Sequence, residues 1–289
     1  MTEAELVSYL KQRRSWVNQA LEKFLPGEDN PPSPLSRAVR YSVLAEGKRL
    51  RPILCMAACE AVGGDPRQAL GLGCALEYIH AYSLIHDDLP VMDNDDFRRG
   101  QPTSHKVFGE AIAIVAGDAL NSEAFGLAVA AAREAGLKPA AALAIVEELA
   151  LASGLSGIVA GQALDLLKRG QPCSPEEMDF IIRRKTGALI RAAARIGALA
   201  AGCGKRDLGR ITGYGEAVGQ AFQIKDDLLD EAASDRGNQS ATYVSVHGRE
   251  QAQARAAELR DQALAAIQSL GEAAEPLRLL ARYMVDRET

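Results

Sequence analysis

The amino-acid sequence predicts an all-α protein that forms one domain of about ten or more helices. Long stretches are rich in Ala, Leu, Ile and Glu, and their apolar residues recur every three or four positions, as in a helix with one buried face. No alternating β-branched run is bounded by Asn-Gly or Asp-Gly, so the sequence gives no signal for hairpins. The clearest helical stretches are residues 68–86, 109–134, 139–153, 174–200 and 207–230.

Glycine and proline mark the breaks between these stretches. Ser174, Pro175 and Glu177 predict a helix start, because they supply an N-cap, a proline at the first helical position and the glutamate of a capping box. No break has the length or composition of an interdomain linker, so we expect residues 1–289 to form a single domain. The breaks are Gly27 to Pro34, Gly63 to Pro66, Gly136 to Pro139, Gly170 to Pro175 and Gly202 to Gly204.

Composition narrows the function classes. A formal net charge of -5 and a pI near 5.5 argue against nucleic-acid binding, which usually needs a basic face. The N-terminal segment lacks the apolar core of a signal peptide, and no window holds about 18 uninterrupted apolar residues, so we expect no transmembrane helix. Five scattered cysteines without a CxxC pair favour a reducing cytoplasm over disulfides or zinc: Cys55, Cys59, Cys74, Cys173 and Cys203.

Two aspartate clusters follow apolar helical stretches. The first places five aspartates within residues 87–96, namely Asp87, Asp88, Asp93, Asp95 and Asp96. The second contains Asp226, Asp227 and Asp230. On an α-helix Asp226 and Asp230 lie about 40° apart, and Asp227 lies about 60° from Asp230. Both clusters therefore present several carboxylates on one face.

Like charges at this spacing repel, so a cation should offset them. Hard divalent ions prefer carboxylate oxygens, and Mg²⁺ usually takes one or two carboxylates per ion and completes its shell with water and phosphate oxygens. Pro90 should end or kink the helix and bring Asp93 back towards Asp87. A single acidic run is usually a solvated loop. Two runs that each end an apolar helix favour a pair of metal sites that clamp a diphosphate.

Basic residues flank the acidic clusters. Lys48, Arg49 and Arg51 supply three cations within four positions, and guanidinium groups suit phosphate oxygens. His80 precedes Asp87 by seven residues and should share its helix face, although a lone histidine can equally be structural. Taken alone, such basic runs are usually solvated surface residues. Further basic or hydroxyl groups are Arg98, Arg99, Lys185 and Thr186.

In their order along the chain these residues resemble the motifs of the trans-isoprenyl diphosphate synthases, and most closely those of bacterial farnesyl diphosphate synthases. The resemblance runs from about residue 30 to the C-terminus. Its motifs are Gly47-Lys48-Arg49-Leu50-Arg51-Pro52, Asp87-Asp88-x4-Asp93 followed by Arg98-Arg99-Gly100, Gly161-Gln162-x2-Asp165, Lys185-Thr186-Gly187, and Phe222-Gln223-x2-Asp226-Asp227-x2-Asp230.

The resemblance implies the isoprenoid synthase fold, a helical bundle around a central cavity, and a homodimer. It implies about three Mg²⁺ ions per active site, which Mn²⁺ can replace. The metal ligands would be Asp87, Asp88, Asp93, Asp226 and Asp230, with Lys185 and Asp227 completing the catalytic set. The allylic diphosphate would be held by Arg98, Lys185, Thr186 and Gln223, and isopentenyl diphosphate by Lys48, Arg51, His80 and Arg99.

The resemblance also implies how product length is set. Tyr82 lies five residues before Asp87, about 7.5 Å along a helix axis, and Ser83 lies one residue nearer. An aromatic residue at this place goes with the fifteen-carbon farnesyl product, whereas a smaller residue goes with twenty carbons. Tyr82 could instead be an ordinary core residue.

The segment after the second cluster departs from the family pattern. Residues 231–240 form a shorter loop without the expected Gly-Lys, and Ser240 stands where a lysine is expected. Arg236 could substitute in part, activity could be reduced, or a mobile loop could be missing from the sequence. Three alternatives to a farnesyl diphosphate synthase follow: a geranylgeranyl diphosphate synthase, a low-activity partner subunit of another synthase, and a terpene cyclase. The basic residues and His80 argue against the cyclase, which binds no second diphosphate.

Overall fold

A computed structural model describes residues 3–233 and 240–287 and is helical apart from one short hairpin. The α-helices are α1 Glu3–Phe24, α2 Ser33–Leu44, α3 Leu50–Ala61, α4 Leu70–Asp87, α5 Ser104–Phe108, α6 Glu110–Glu134, α7 Pro139–Ser153, α8 Ile158–Leu167, α9 Pro175–Ile181, α10 Ala188–Ala200, α11 Lys205–Ala233, α12 Tyr243–His247, α13 Arg249–Ala266 and α14 Glu275–Asp286. Strands β1 Phe97–Arg98 and β2 Gln101–Pro102 pair antiparallel.

The predicted all-α fold is confirmed, and the helix boundaries lie close to those expected. The stretch 139–153 is α7 itself, and 109–134 differs from α6 by one residue. The predicted capping box at Ser174 is present, with reciprocal hydrogen bonds between Ser174 and Glu177. The stretch 174–200 differs in one respect, because it divides into α9, a π-helical segment at Ile182–Gly187, and α10. Further short helices are 3-10 turns at Pro66–Ala69 and Glu272–Ala274.

The core lies where α3, α4, α10 and α11 pack together, with α6 against α4 and α13 against α11. Small residues let these helices approach closely, as their abundance suggests. A Cβ atom on Gly197 of α10 would lie 1.9 Å from the carbonyl oxygen of Cys55 in α3, so only glycine fits there. The central helices therefore form a close-packed frame that fixes the ends of α4 and α11.

Two segments are long and apolar enough to cross a membrane, judged by length and composition alone. They are Glu110–Glu134, with 33% of its most apolar window buried, and Pro139–Leu167, with 39% buried. The second is interrupted between α7 and α8. Both pack on neighbouring helices, α6 on α4 and α7 on α10, but each leaves much of its apolar surface exposed. The absence of a transmembrane helix therefore stays a prediction.

Candidate active site

The first aspartate cluster lies at the C-terminal end of α4 and in the turn that follows. The helix ends at Asp87, before Pro90, as the missing proline N–H requires. The turn then reverses, and the N–H of Asp93 donates to the carbonyl oxygen of Asp87 at 2.8 Å. Asn94 adopts a positive φ of 54°, which asparagine tolerates well. The predicted return of Asp93 towards Asp87 is confirmed.

Burial shapes the electrostatics of this cluster. It raises the pKa of Asp87 to about 6. The positive charge of Lys185 opposes this rise, and the negative charge of Asp93 adds to it. Burial also raises the pKa of Asp88 to about 6, although the Arg98 guanidinium donates to that carboxylate at 2.5 Å. Arg98 bonds Asp95 as well, at 3.1 Å. At Asp87 and Asp88, burial therefore outweighs the effect of the nearby cations.

The second cluster lies on the last turns of α11. Asp226 forms an ion pair with Arg287, and Asp230 is exposed to solvent. Asp227 is buried with both carboxylate oxygens occupied, one by the Gln223 amide at 2.8 Å and one by the N–H of Tyr243 at 2.7 Å. These contacts favour a positioning role for Asp227. The shortened loop with Arg236 lies outside the described residues apart from its two ends.

The π-helical segment Ile182–Gly187 places Lys185 and Thr186 at the site. Lys185 donates to Asp165 of α8 at 2.6 Å, and Thr186 donates to Gln223 of α11 at 2.5 Å. A Cβ atom on Gly161 would lie 2.2 Å from the backbone nitrogen of Lys185, so glycine lets α8 lie directly against the segment. A π-bulge often marks a functional site.

The basic residues lie near the second cluster. Burial lowers the pKa of Arg51, and the nearby carboxylate of Asp226 opposes that fall. The guanidinium of Arg99 lies 3.4 Å from Nε2 of His80, and burial together with Arg51 and Arg99 holds the pKa of His80 well below its usual value. His80 is therefore a neutral histidine among guanidinium groups.

Lys48 and Arg49 separate into different roles. Arg49 is buried and forms an ion pair with Glu77 of α4 at 2.7 Å. This ion pair ties the loop before α3 to α4, so Arg49 has a structural role. Lys48 is exposed, and no hydrogen bond or ion pair holds it in the described part of the chain. Nε of Arg51 is buried and has no hydrogen-bond partner among the described residues. These two side chains thus keep donors for a ligand.

The predicted product-length residues lie on α4. Tyr82 is only 6% exposed, its hydroxyl donates to the Ser153 carbonyl at 3.3 Å, and its ring meets His86 edge to face with centroids 5.8 Å apart. Ser83 donates to the carbonyl of His80 at 2.9 Å. Tyr82 is therefore a fixed, buried ring below Asp87.

The carboxylates of the two clusters suit a metal ion only when a phosphate ligand binds with it. Among the described residues, no group of three or more His, Cys, Asp or Glu side chains could enclose a metal ion. Mg²⁺ does not need such a group, because phosphate oxygens and water fill most of its shell. Buried carboxylates with raised pKa values fit a cation that arrives with a diphosphate.

Two residues at the site were not assigned from sequence. The sequence places Asp165 in a motif without indicating its role, and the structure shows that it anchors Lys185. Arg169, which follows α8, contacts Asp93. The sequence gives no sign of this contact, because Arg169 and Asp93 are 76 positions apart and only the fold brings them together.

Comparisons with known proteins identify the family to which the chain is similar. Residues 32–266 match the polyprenyl synthetase family. The farnesyl diphosphate synthase of Geobacillus stearothermophilus is 40% identical over 85% of this chain and 86% of its own length. The heterodimeric geranylgeranyl pyrophosphate synthase large subunit 1 of Arabidopsis thaliana is 40% identical over 98% of this chain and 80% of its own. A crystal structure of an FPP/GFPP synthase from Zymomonas mobilis has a TM-score of 0.90 at 38% identity and covers 98% of this chain and 100% of its own.

Proposed function

The chain belongs to the polyprenyl synthetase family, and we propose that it condenses isopentenyl diphosphate with dimethylallyl or geranyl diphosphate to give farnesyl diphosphate and diphosphate. The family implies the two substrates, isopentenyl diphosphate and an allylic diphosphate. We further propose that the reaction needs Mg²⁺, with about three ions per active site and Mn²⁺ as a substitute.

The observation that carries the proposal is that acidic and basic groups converge at the ends of α4 and α11. Asp87 lies near Lys185, and Asp226 lies near Arg51. Carboxylates suit a metal-bridged diphosphate, whereas the guanidinium groups around His80 suit a diphosphate without metal. Two different diphosphate sites are what a condensation of two diphosphates requires.

The proposed reaction needs no protein nucleophile. Bound Mg²⁺ would neutralise the charge that develops on the leaving diphosphate. Lys185, Thr186, Gln223 and Arg98 hold the allylic substrate as its C–O bond breaks. Lys48, Arg51, His80 and Arg99 hold isopentenyl diphosphate so that its double bond attacks the allylic carbon. A proton then leaves the new chain for the departing diphosphate, and the apolar wall of α4 keeps water from the cation.

The fifteen-carbon product rests on Tyr82. The ring is buried, lies five residues before Asp87, and is held by Ser153 and His86, which supports a role as the floor for the growing chain. Relatives are named for both farnesyl and geranylgeranyl products, so a geranylgeranyl diphosphate synthase is the second candidate. Ser83, the second proposed product-length residue, donates to the backbone of the same helix.

We propose a homodimer in the cytoplasm. Large apolar side chains are exposed on α6, α7 and α8, where α6 packs against α7 and α7 against α8. Exposed apolar residues on neighbouring helices favour an interaction site. These side chains are Ile114, Val115, Leu143, Leu151, Val159 and Leu167. All five cysteines are free thiols, as suits a reducing compartment.

One assay separates the candidates. The purified chain is incubated with isopentenyl and geranyl diphosphates and Mg²⁺, and the products are identified by mass. A fifteen-carbon diphosphate supports the proposal, and a twenty-carbon product supports the second candidate. A cyclic hydrocarbon from geranyl diphosphate alone would indicate a cyclase. No turnover unless another synthase is added would indicate a partner subunit, the role that the shortened loop suggests.

A further inference from the structure

Arg169 joins the segment after α8 to the turn that carries the first aspartate cluster. It follows α8, and its Nη1 donates to the carbonyl oxygen of Met92 while its Nη2 donates to the carboxylate of Asp93. The side chains of Arg169 and Asp93 are 22% and 30% exposed, so the ion pair is partly shielded from solvent.

The Arg169 guanidinium keeps unused hydrogen-bonding capacity. Arginine has five N–H donors in a planar fork that matches phosphate oxygens. Nε of Arg169 is buried and has no hydrogen-bond partner among the described residues. Its neighbour Lys168 does not share this arrangement, because its ammonium bonds Glu177 and the carbonyl oxygen of Pro172. Of these two neighbouring residues, Arg169 contacts the aspartate cluster and Lys168 does not.

The position of Arg169 conflicts with a metal ion on Asp93. Both cations require oxygens of one carboxylate, and a guanidinium within a few ångströms repels a divalent ion. The second cluster repeats the arrangement, since Arg287 pairs with Asp226 and lies 4.7 Å over the ring of Phe222. In each cluster an arginine from another element holds one carboxylate that the metal would use.

We propose that Arg169 is a further diphosphate-binding residue, which holds Asp93 until the metal-bridged diphosphate arrives and then donates to a phosphate oxygen. The inference rests on the proposed function and assigns Arg169 to the allylic diphosphate, the substrate of the first cluster. When no diphosphate is present, Arg169 competes with the metal ion for Asp93 and weakens metal binding. When the metal ion and diphosphate are both present, Arg169 donates to a phosphate oxygen and strengthens diphosphate binding. These two effects have opposite signs, which a purely structural role would not produce.

Two titrations test the inference. Free Mn²⁺ is measured by electron paramagnetic resonance in the wild type and in Arg169→Gln, and inorganic diphosphate is then titrated calorimetrically at saturating Mn²⁺. We expect Arg169→Gln to bind Mn²⁺ alone about five- to twenty-fold more tightly, because one nearby positive charge is lost. We expect it to bind inorganic diphosphate at least about five-fold more weakly, because a charge-assisted donor is lost.

Two variants serve as controls. Lys168→Gln removes a neighbouring charge that does not face Asp93, and it should change either affinity by less than about two-fold. Asp93→Asn should abolish the difference in Mn²⁺ affinity that Arg169→Gln causes. Unchanged or weaker Mn²⁺ binding in Arg169→Gln, or unchanged diphosphate binding, would overturn the inference. If Mn²⁺ binding were independent of Asp93 with and without diphosphate, the metal site of the proposed function would fail as well.

Discussion

At the scale of single residues, the site is arranged by the balance between burial and charge. Asp88 receives a short bond from Arg98, yet burial still raises its pKa to about 6. Asp227 differs, because protein donors occupy both of its oxygens, whereas Asp226 pairs through one oxygen with Arg287. Asp226 and Asp230, the two residues of this cluster that the resemblance assigns to metal, are thus better placed to bind an ion than Asp227.

His80 should stay neutral in the folded protein near pH 6. Burial and the guanidinium groups of Arg51 and Arg99 lower its pKa, so protonation is easier in the unfolded chain. The stability contributed by neutral His80 is therefore present above about pH 6.5 and is lost as the pH falls below it. Between pH 6.5 and 5.5 the free energy of unfolding should fall by about 1 kcal/mol more in the wild type than in His80→Gln. Urea titrations at both pH values measure this, and parallel slopes would contradict it.

At the scale of secondary-structure elements, the packing of α8 on the π-helical segment positions Lys185. We expect Gly161→Ala to destabilise the fold by about 1–3 kcal/mol, because the added Cβ would collide with the backbone at Lys185. It should also raise the KM for the allylic substrate more than that for isopentenyl diphosphate. The matched control is Gly126→Ala on α6, where a Cβ meets nothing within 4 Å and helix propensity improves by about 0.5–1 kcal/mol. Equal KM changes for both substrates would show that Gly161 does not act through Lys185.

Helix α4 carries Tyr82, the proposed floor for the product, and ends at the first aspartate cluster. We expect Tyr82→Ala to shift products from fifteen to twenty or more carbons and to cost about 3–5 kcal/mol of stability, because a large buried ring is removed. Tyr82→Phe keeps the ring and loses only the bond to Ser153, so it should keep the fifteen-carbon product. Mass analysis of products from the folded variants decides this. An unchanged product from Tyr82→Ala would show that Tyr82 is an ordinary core residue.

At the scale of the whole molecule, helical periodicity predicted the fold because most helices have one face in a common core. The same periodicity could not show the π-helical segment, which packs closely against Gly161 at Lys185. The sequence predicted that the first aspartate cluster follows the end of an apolar helix, which is α4. It could not predict that Asp165 anchors Lys185, or that Arg169 reaches Asp93, because these contacts join distant parts of the chain.

The exposed apolar side chains on α6 to α8 predict a dimer. We expect the protein to sediment at twice its chain mass of 30.8 kDa, and Leu143→Glu, at a residue 72% exposed, to shift it towards the monomer. Val7→Glu changes an equally apolar residue on α1, 61% exposed and outside this surface, and should leave the dimer intact. Analytical ultracentrifugation measures both. A monomeric wild type, or a Leu143→Glu variant that stays dimeric, would contradict the proposed interface.

The central claim is that the two aspartate clusters bind metal ions for the condensation of two diphosphates. Its most direct test is turnover of isopentenyl and geranyl diphosphates with Mg²⁺ by the wild type, Asp87→Asn, Asp226→Asn and Asp96→Asn. Asp96 is the matched control, because it is exposed and pairs with Lys106 at 2.7 Å. We expect Asp87→Asn and Asp226→Asn to lose at least about 100-fold in kcat with helical content unchanged, Asp96→Asn to keep near-native activity, and a chelator to abolish turnover. Near-native turnover in either of the first two variants, or turnover that survives the chelator, would contradict the claim.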